Sequence, residues 1–262
     1  MSAQALFRHA ARTARRRLGR FISSATEFAL FFWWAPSQIP LFLRALTSWR
    51  ARAKTITHNA AISLPAVASL YINLDRRTDR RTVVEAEIRR VGLTPRRHPA
   101  TSHHNGSLGC ALSHIEALEE IARSGDRVAI IFEDDVSFVA KPHVVQELIY
   151  EFVNTEHLDV LCLAFRLRAP RLPVSPNLAI SNRVQTTACY VVKLEAIGSL
   201  LKSFSESANL LEAGEPPSKA AIDVRWKSVQ TNSLTFCVPR FPVARQLVSY
   251  SDVAKKVKDY GP

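Results

Sequence analysis

Apolar positions along residues 65–136 switch between two periods, and the switching predicts an alternation of strands and helices. Pro65 to Leu74 is an apolar, partly β-branched run that stops at the charged stretch Asp75–Arg81, as a strand feeding a loop would. From Thr78 to Val91 the apolar residues Val83, Val84, Ile88 and Val91 fall at helical spacing among Arg and Glu. Thr78 or Asp79 is the expected cap, and Gly92 and Pro95 end the segment. Arg96–Ala100 then runs into a polar loop, Thr101–Ser107. A second helical face, built on Leu108, Ala111, Leu112, Ile115, Leu118 and Ile121, is entered through Gly106-Ser107 and left through Ser124-Gly125. A strand over Val128–Val136 follows. Further on, helical spacing is expected for Val144–Phe152 and Leu194–Phe204, and strands for Leu158–Phe165, Ala188–Val192 and Ser233–Pro239. Pro170, Pro173 and Pro176 mark an irregular connection, Leu210–Pro217 a loop, and Ala221–Trp226 a short helix or turn. This order predicts an α/β fold with a mostly parallel sheet covered by helices.

One strand carries candidate chemistry. Ala129-Ile-Ile-Phe-Glu-Asp-Asp-Val136 has the length of a buried strand and ends in three consecutive acids. Glu133, Asp134 and Asp135 would therefore sit at the C-terminal edge of the sheet, where open α/β sheets keep their ligand crevices. Three carboxylates a few Å apart resist joint ionisation, so the cluster calls for a hard cation, a basic substrate or protonation. The competing reading is a solvated turn whose acids cap the next segment. Neighbours along a strand point to opposite faces, so one of the three acids must point away from the other two.

Composition permits one ordinary domain with room to spare. The chain has 262 residues, of which 47% are hydrophobic, enough for a sizeable core. The formal net charge of +12 is unevenly placed. Residues 1–74 hold ten basic side chains against one acid, Glu27, and so carry +9, while the rest is close to balance with 25 bases and 22 acids. A general nucleic-acid-binding surface on the globular part is not expected.

The first 60 residues read as a separate basic and apolar segment for targeting or membrane attachment. A basic block, Arg12–Arg20, precedes Phe21–Trp34 and a second apolar run, Ile39–Leu46. Neither run reaches the ~20 apolar residues of a spanning helix, and Glu27 and Pro36 interrupt their sum. A single-pass anchor in the secretory pathway, an interfacial helix, an organelle transit peptide and an arm packed on a cytoplasmic domain all stay open, with membrane contact through residues 12–46 the leading expectation. Residues 61–253 form the expected globular domain and 254–262 a basic tail. Cys110, Cys162, Cys189 and Cys237 are widely spaced without CxxC pairs and read as buried free thiols.

Several segments resemble one family in a single order. Tyr71-Ile-Asn-Leu-Asp-Arg-Arg-Thr-Asp-Arg-Arg81 resembles an opening INLDRxxxR signature, Gly109-Cys-Ala-Leu-Ser-His114 a GCxxSH helix start, and Ile130–Val136 an LEDD strand end. Thr187–Val192 is similar to a later GxxxYxxS strand, and Ala221-Ile-Asp223 stands where a Pro-x-Asp element is found. The family is glycosyltransferase family 25, the lipopolysaccharide and procollagen galactosyltransferase group, and the resemblance covers about residues 66–253.

The resemblance implies a GT-A-like mixed, mostly parallel sheet flanked by helices. It also implies an inverting hexosyltransferase that moves a sugar, galactose above all, from a UDP-sugar to a glycan or protein-linked hydroxyl with Mn²⁺ or Mg²⁺. In that scheme Glu133 and Asp135 are the metal ligands. Asn73, Asp75, Arg76, Arg80, His114 and Asp134 contact the nucleotide sugar, and Asp223 takes the acceptor proton. Bland readings stand beside these: a salt-bridged helix start for Asp75 and Arg76, a structural histidine for His114, a helix cap for Asp223. The chain departs from the pattern at Thr187-Ala-Cys-Tyr-Val-Val-Lys193, which lacks the Ser, and at Ala221, which replaces the Pro. These departures bear on the acceptor side, and they leave a catalytically silent nucleotide-sugar-binding protein as the alternative.

Overall fold

The computed structural model describes residues 25, 26, 28–39, 43, 67–167, 169–247, 249–251 and 256–258. Most of the expected 1–60 segment and of the 254–262 tail lies outside the described residues. Beyond a 3₁₀ turn at Ala35–Gln38, the elements are β1 (Ala68–Asn73), α1 (Thr78–Arg90), β2 (Arg96–Pro99), α2 (Gly106–Ser124), β3 (Val128–Glu133), β4 (Val136–Phe138), α3 (Pro142–Val153) and β5 (Val160–Arg166). They continue with β6 (Leu172–Pro173), β7 (Leu178–Ile180), β8 (Gln185–Lys193), α4 (Leu194–Glu212), α5 (Pro217–Ala220), α6 (Ile222–Asn232), β9 (Phe236–Pro239), β10 (Ala244–Gln246), β11 (Ser249–Ser251) and β12 (Lys256–Lys258).

One ten-stranded mixed sheet runs β2-β1-β3-β8-β5-β9-β7-β6, with β10 bridging β4 and β5. β1 lies parallel to β2 and β3, and β5 lies parallel to β9 and β10. β8 enters antiparallel between β3 and β5, joining the two parallel groups. Helices cover both faces, because β1, β3, β5 and β8 are apolar on both sides. Val84 and Ile88 of α1 and Val145, Leu148, Ile149 and Phe152 of α3 pack on the face presented by Tyr71, Ile130, Phe132 and Val191. The faces of α2, α4 and α6 pack on Leu70, Ile72, Ile131 and Tyr190. The α/β architecture expected from the sequence is the one that forms.

Local expectations are corrected in several places. Residues 96–99 form a strand, because backbone pairing with Leu70–Asn73 overrides their polar side chains. The N-cap of α1 is Arg77 with no side-chain cap, whereas α2 is capped by Asn105, whose Oδ1 accepts from the backbone N–H groups of Ser107 and Leu108. Gly125 ends α2 at φ 74°, a left-handed conformation that glycine adopts without a Cβ clash. The strand expected to run through Val136 breaks at Asp134 and Asp135, which form a turn before β4. α4 continues to Glu212, past the expected end at Phe204, because Ala208 and Leu211 extend its buried stripe.

Candidate active site

The turn at Asp134–Asp135 sits where β1 and β3 end, and the elements around it converge on its carboxylates. Asp134 points to the β1 side. Asn73 Nδ2 donates to its Oδ2 at 2.8 Å, and Arg80 from α1 meets its Oδ1 at 2.6 Å. Glu133 and Asp135 share one donor, Gln246 Nε2, at 3.2 and 3.3 Å, and the same Arg80 guanidinium also lies 3.5 Å from Asp135 Oδ2. Thr187 Oγ1 donates to Glu133 Oε1 at 2.6 Å, and His114 Nε2 faces the same oxygen at 3.5 Å. The His114 ring is held in turn by Tyr190, whose hydroxyl lies 3.1 Å from Nδ1. Asp135 Oδ1 is buried and has no hydrogen-bond partner among the described residues.

These contacts set the charges. Burial first, then the charges of Glu133 and Asp134, push the Asp135 carboxyl up to about 7. Burial also opposes ionisation of Glu133, but His114, Thr187 and Arg80 outweigh it and hold that carboxyl below its usual value. Asp134 is raised by burial despite Arg80. Of the two acids that share Gln246, one is therefore an anion and the other is poised to hold a proton until a positive charge arrives.

The acids line a cleft of about 140 Å³. Its other walls include Arg76 and Arg80, the loop Thr101–His103, and Gly109, Cys110, Ser113 and His114 of α2. The glycine is needed where α2 meets that loop, since a Cβ on residue 109 would lie 2.7 Å from Thr101 O. Ser113 fastens the same junction by accepting from Thr101 N–H at 2.8 Å.

Two donor sets could hold a cation, and they share Glu133. Glu133 with Asp135 offers oxygens alone, including the orphaned Oδ1, and suits Mg²⁺ or Mn²⁺. Cys110, His114 and Glu133 bring one ligand atom each within 4.8 Å of one another, a softer set.

The residues singled out by sequence separate into three groups. Glu133, Asp134, Asp135, Arg76, Arg80 and His114 meet at the cleft. Asn73 is buried behind it and positions Asp134, while Asp75 is exposed and paired with Arg97. Asp223, in the first turn of α6, lies off the cleft lining. It accepts from the Thr186 backbone N–H at 3.3 Å, and burial raises its carboxyl. Gln246, Thr186 and Thr187 were not anticipated. Thr186 has φ 76°, an unusual conformation for a β-branched residue, and its hydroxyl donates to Gln246 Oε1 at 3.4 Å. Thr187 was visible only as part of the motif Thr187–Val192, and Gln246 had no signal, because its role depends on β10 pairing with β4.

A cleft lined by paired acids and arginines at a strand edge can take a cation and an anionic ligand side by side. Residues 95–213 match the family described as glycosyltransferase family 25 (LPS biosynthesis protein), the family that the motifs resemble. The match takes in Gly109–His114, the three acids and Thr187–Val192; the loop at 73–81 and Asp223 lie outside it. No curated protein matches the chain. Among solved structures, a glycosyltransferase involved in the glycosylation of the major capsid of PBCV-1 aligns at 12% identity, over 73% of this chain and 97% of that one, with a TM-score of 0.43. A197 from STIV aligns at 12% identity over 75% and 96%, with a TM-score of 0.40. Mannose-1-phosphate geranyltransferase from Thermus thermophilus aligns at 12% identity over 66% and 59%, with a TM-score of 0.36.

Proposed function

We propose that this chain is a glycosyltransferase that uses a UDP-hexose donor, galactose by family resemblance, and transfers the sugar to an acceptor hydroxyl with inversion. The observation that carries the reading is the pair Glu133 and Asp135, turned together into the cleft with Asp135 Oδ1 buried and unpartnered. Glu133 and Asp135 would hold a divalent cation, which when bound supplies positive charge to the departing diphosphate. Arg76 and Arg80 present guanidinium groups on the same wall, where a diphosphate oxygen can accept from them. Asn73 anchors Asp134, and Arg80 bridges Asp134 and Asp135 at 2.6 and 3.5 Å, so the acids hold their orientation. Gln246 keeps Glu133 and Asp135 together through its single amide nitrogen.

Inversion requires a base on the acceptor side, to take the hydroxyl proton as oxygen attacks the anomeric carbon in line. Asp223 is assigned that role. Its carboxyl, raised by burial, is a better proton acceptor than an exposed one, and the Thr186 N–H orients it. The acceptor is a glycan or protein-linked hydroxyl.

The test is release of UDP from UDP-galactose by the purified full chain with Mn²⁺, compared with Asp135→Ala at unchanged circular dichroism. Loss of release in the variant is the expected result, and unchanged turnover would sink the assignment. Asp223→Asn should lose transfer to acceptor while retaining donor-induced thermal stabilisation. A thermal-shift comparison of UDP- and GDP-sugars, with and without Mn²⁺, identifies the donor.

A further inference from the structure

We infer that the helix at residues 28–34 is a membrane-docking element built into the catalytic domain, which seats it on a bilayer rich in anionic headgroups. Residues 28–34 are helical and run into the 3₁₀ turn Ala35–Gln38, where Ser37 Oγ donates to Trp34 O at 2.7 Å. Along residues 28–39 only Ser37 and Gln38 are polar, so no side of the helix is suited to water.

One side is already covered. Phe31 and Trp34 are buried in the core cluster that α1 and α3 share with the sheet, and Ala35 packs against it. Two bulky aromatics in a domain core hold a helix far more tightly than a flexible tether does. The opposite side has no cover among the described residues. Trp33 is 78% exposed and Phe32 62%, and Phe28, Leu30, Ile39 and Leu43 are exposed as well.

The charge that flanks this apolar strip along the chain argues for the occupant. Arg12–Arg20 precede it, Arg44, Arg50, Arg52 and Lys54 follow it, and residues 1–74 carry +9 in all. Pairing two copies through this strip would pair two sequence segments of the same strong positive charge. An anionic bilayer neutralises them and accepts Trp and Phe at the headgroup boundary. Among the described residues no helix is long and apolar enough to cross a membrane. Because that helix is packed into the domain, docking fixes the orientation of the whole domain relative to the lipid surface.

The experiment is flotation of the full chain with vesicles of phosphatidylcholine alone or with phosphatidylserine. Wild type should float with the anionic vesicles and much less with neutral ones or at high salt. Phe32→Ser/Trp33→Ser should lower binding at least tenfold and leave the melting temperature unchanged. Phe31→Ser/Trp34→Ser should lower the melting temperature itself, which separates the buried side from the exposed one. Binding unaffected by Phe32→Ser/Trp33→Ser, or equal binding to neutral vesicles, would overturn the inference. So would a wild-type dimer, seen by sedimentation, that the Phe32→Ser/Trp33→Ser variant converts to monomer with vesicle binding unchanged. Flotation is read without turnover, so a failure of the donor assignment leaves this result intact.

Discussion

Replacing Asp135 by Asn should make the metal-free protein more stable while removing its response to divalent cations. The carboxyl of Asp135 is moved from the ordinary 3.8 to about 7, chiefly by burial and then by the charge of Glu133. A carboxyl whose folded pKa lies above its unfolded one costs stability where the unfolded chain ionises and the folded one resists. Below pH ~4 both states are protonated and the cost is absent; it grows as pH rises and is complete above pH ~7. A shift of that size is worth roughly 4 kcal/mol, and sharing one proton with Glu133 brings the expectation to about 2–4 kcal/mol.

Asn presents the oxygen that Gln246 Nε2 needs and cannot ionise, so the cost disappears. In a domain of this size that corresponds to a rise of roughly 5–10 °C in melting temperature at pH 8, shrinking to nothing near pH 4. The assay is thermal unfolding by circular dichroism from pH 4 to 8, with EDTA or with Mn²⁺. Wild type should gain stability from Mn²⁺ at pH 8, and Asp135→Asn should not. A variant less stable than wild type at pH 8 in EDTA, or one that Mn²⁺ stabilises as fully as wild type, would refute the electrostatic account of the site.

Gln246→Ala should weaken Mn²⁺ binding about tenfold, read by titration of the thermal shift, because the donor that holds Glu133 and Asp135 together is lost. Gly109→Ala should cost about 1–3 kcal/mol in urea unfolding, since its Cβ must displace the backbone oxygen of Thr101. Trp226→Ala should cost about 3–5 kcal/mol in the same assay, because the ring is fully buried, stacks edge-on with Phe236, and donates its indole N–H to Val184 O.

Much of the frame was legible because it follows from periodicity alone. The two helices before β3 and the apolar core of β3 follow from spacing and chain punctuation, and Gly125 ended α2 where a glycine at the C-terminus implies. The acids at the end of β3 were legible for the same reason, since a buried run can turn charged only where it leaves the core. β2 was not legible. Its residues are Arg, Arg, His and Pro, and only the neighbouring edge of β1 makes them a strand.

The division of labour among the three acids shows where sequence stops. Alternation along a strand would turn the middle acid away, but only Glu133 lies in β3, and Asp134 and Asp135 form a turn. The structure sets Asp134 apart through Asn73, which reaches it across 61 positions of chain, while Arg80 pairs with both Asp134 and Asp135. It joins Glu133 to Asp135 through Gln246, which lies 113 and 111 positions further on. The sequence by itself determined the α/β class, the strand edge and the acids placed there, because periodicity and local charge are properties of neighbours in the chain. Only the tertiary structure decided which carboxylates share a site, which one keeps its proton, and which aromatics of residues 28–34 lie in the core. Those outcomes depend on burial and on partners that folding alone brings within a few Å.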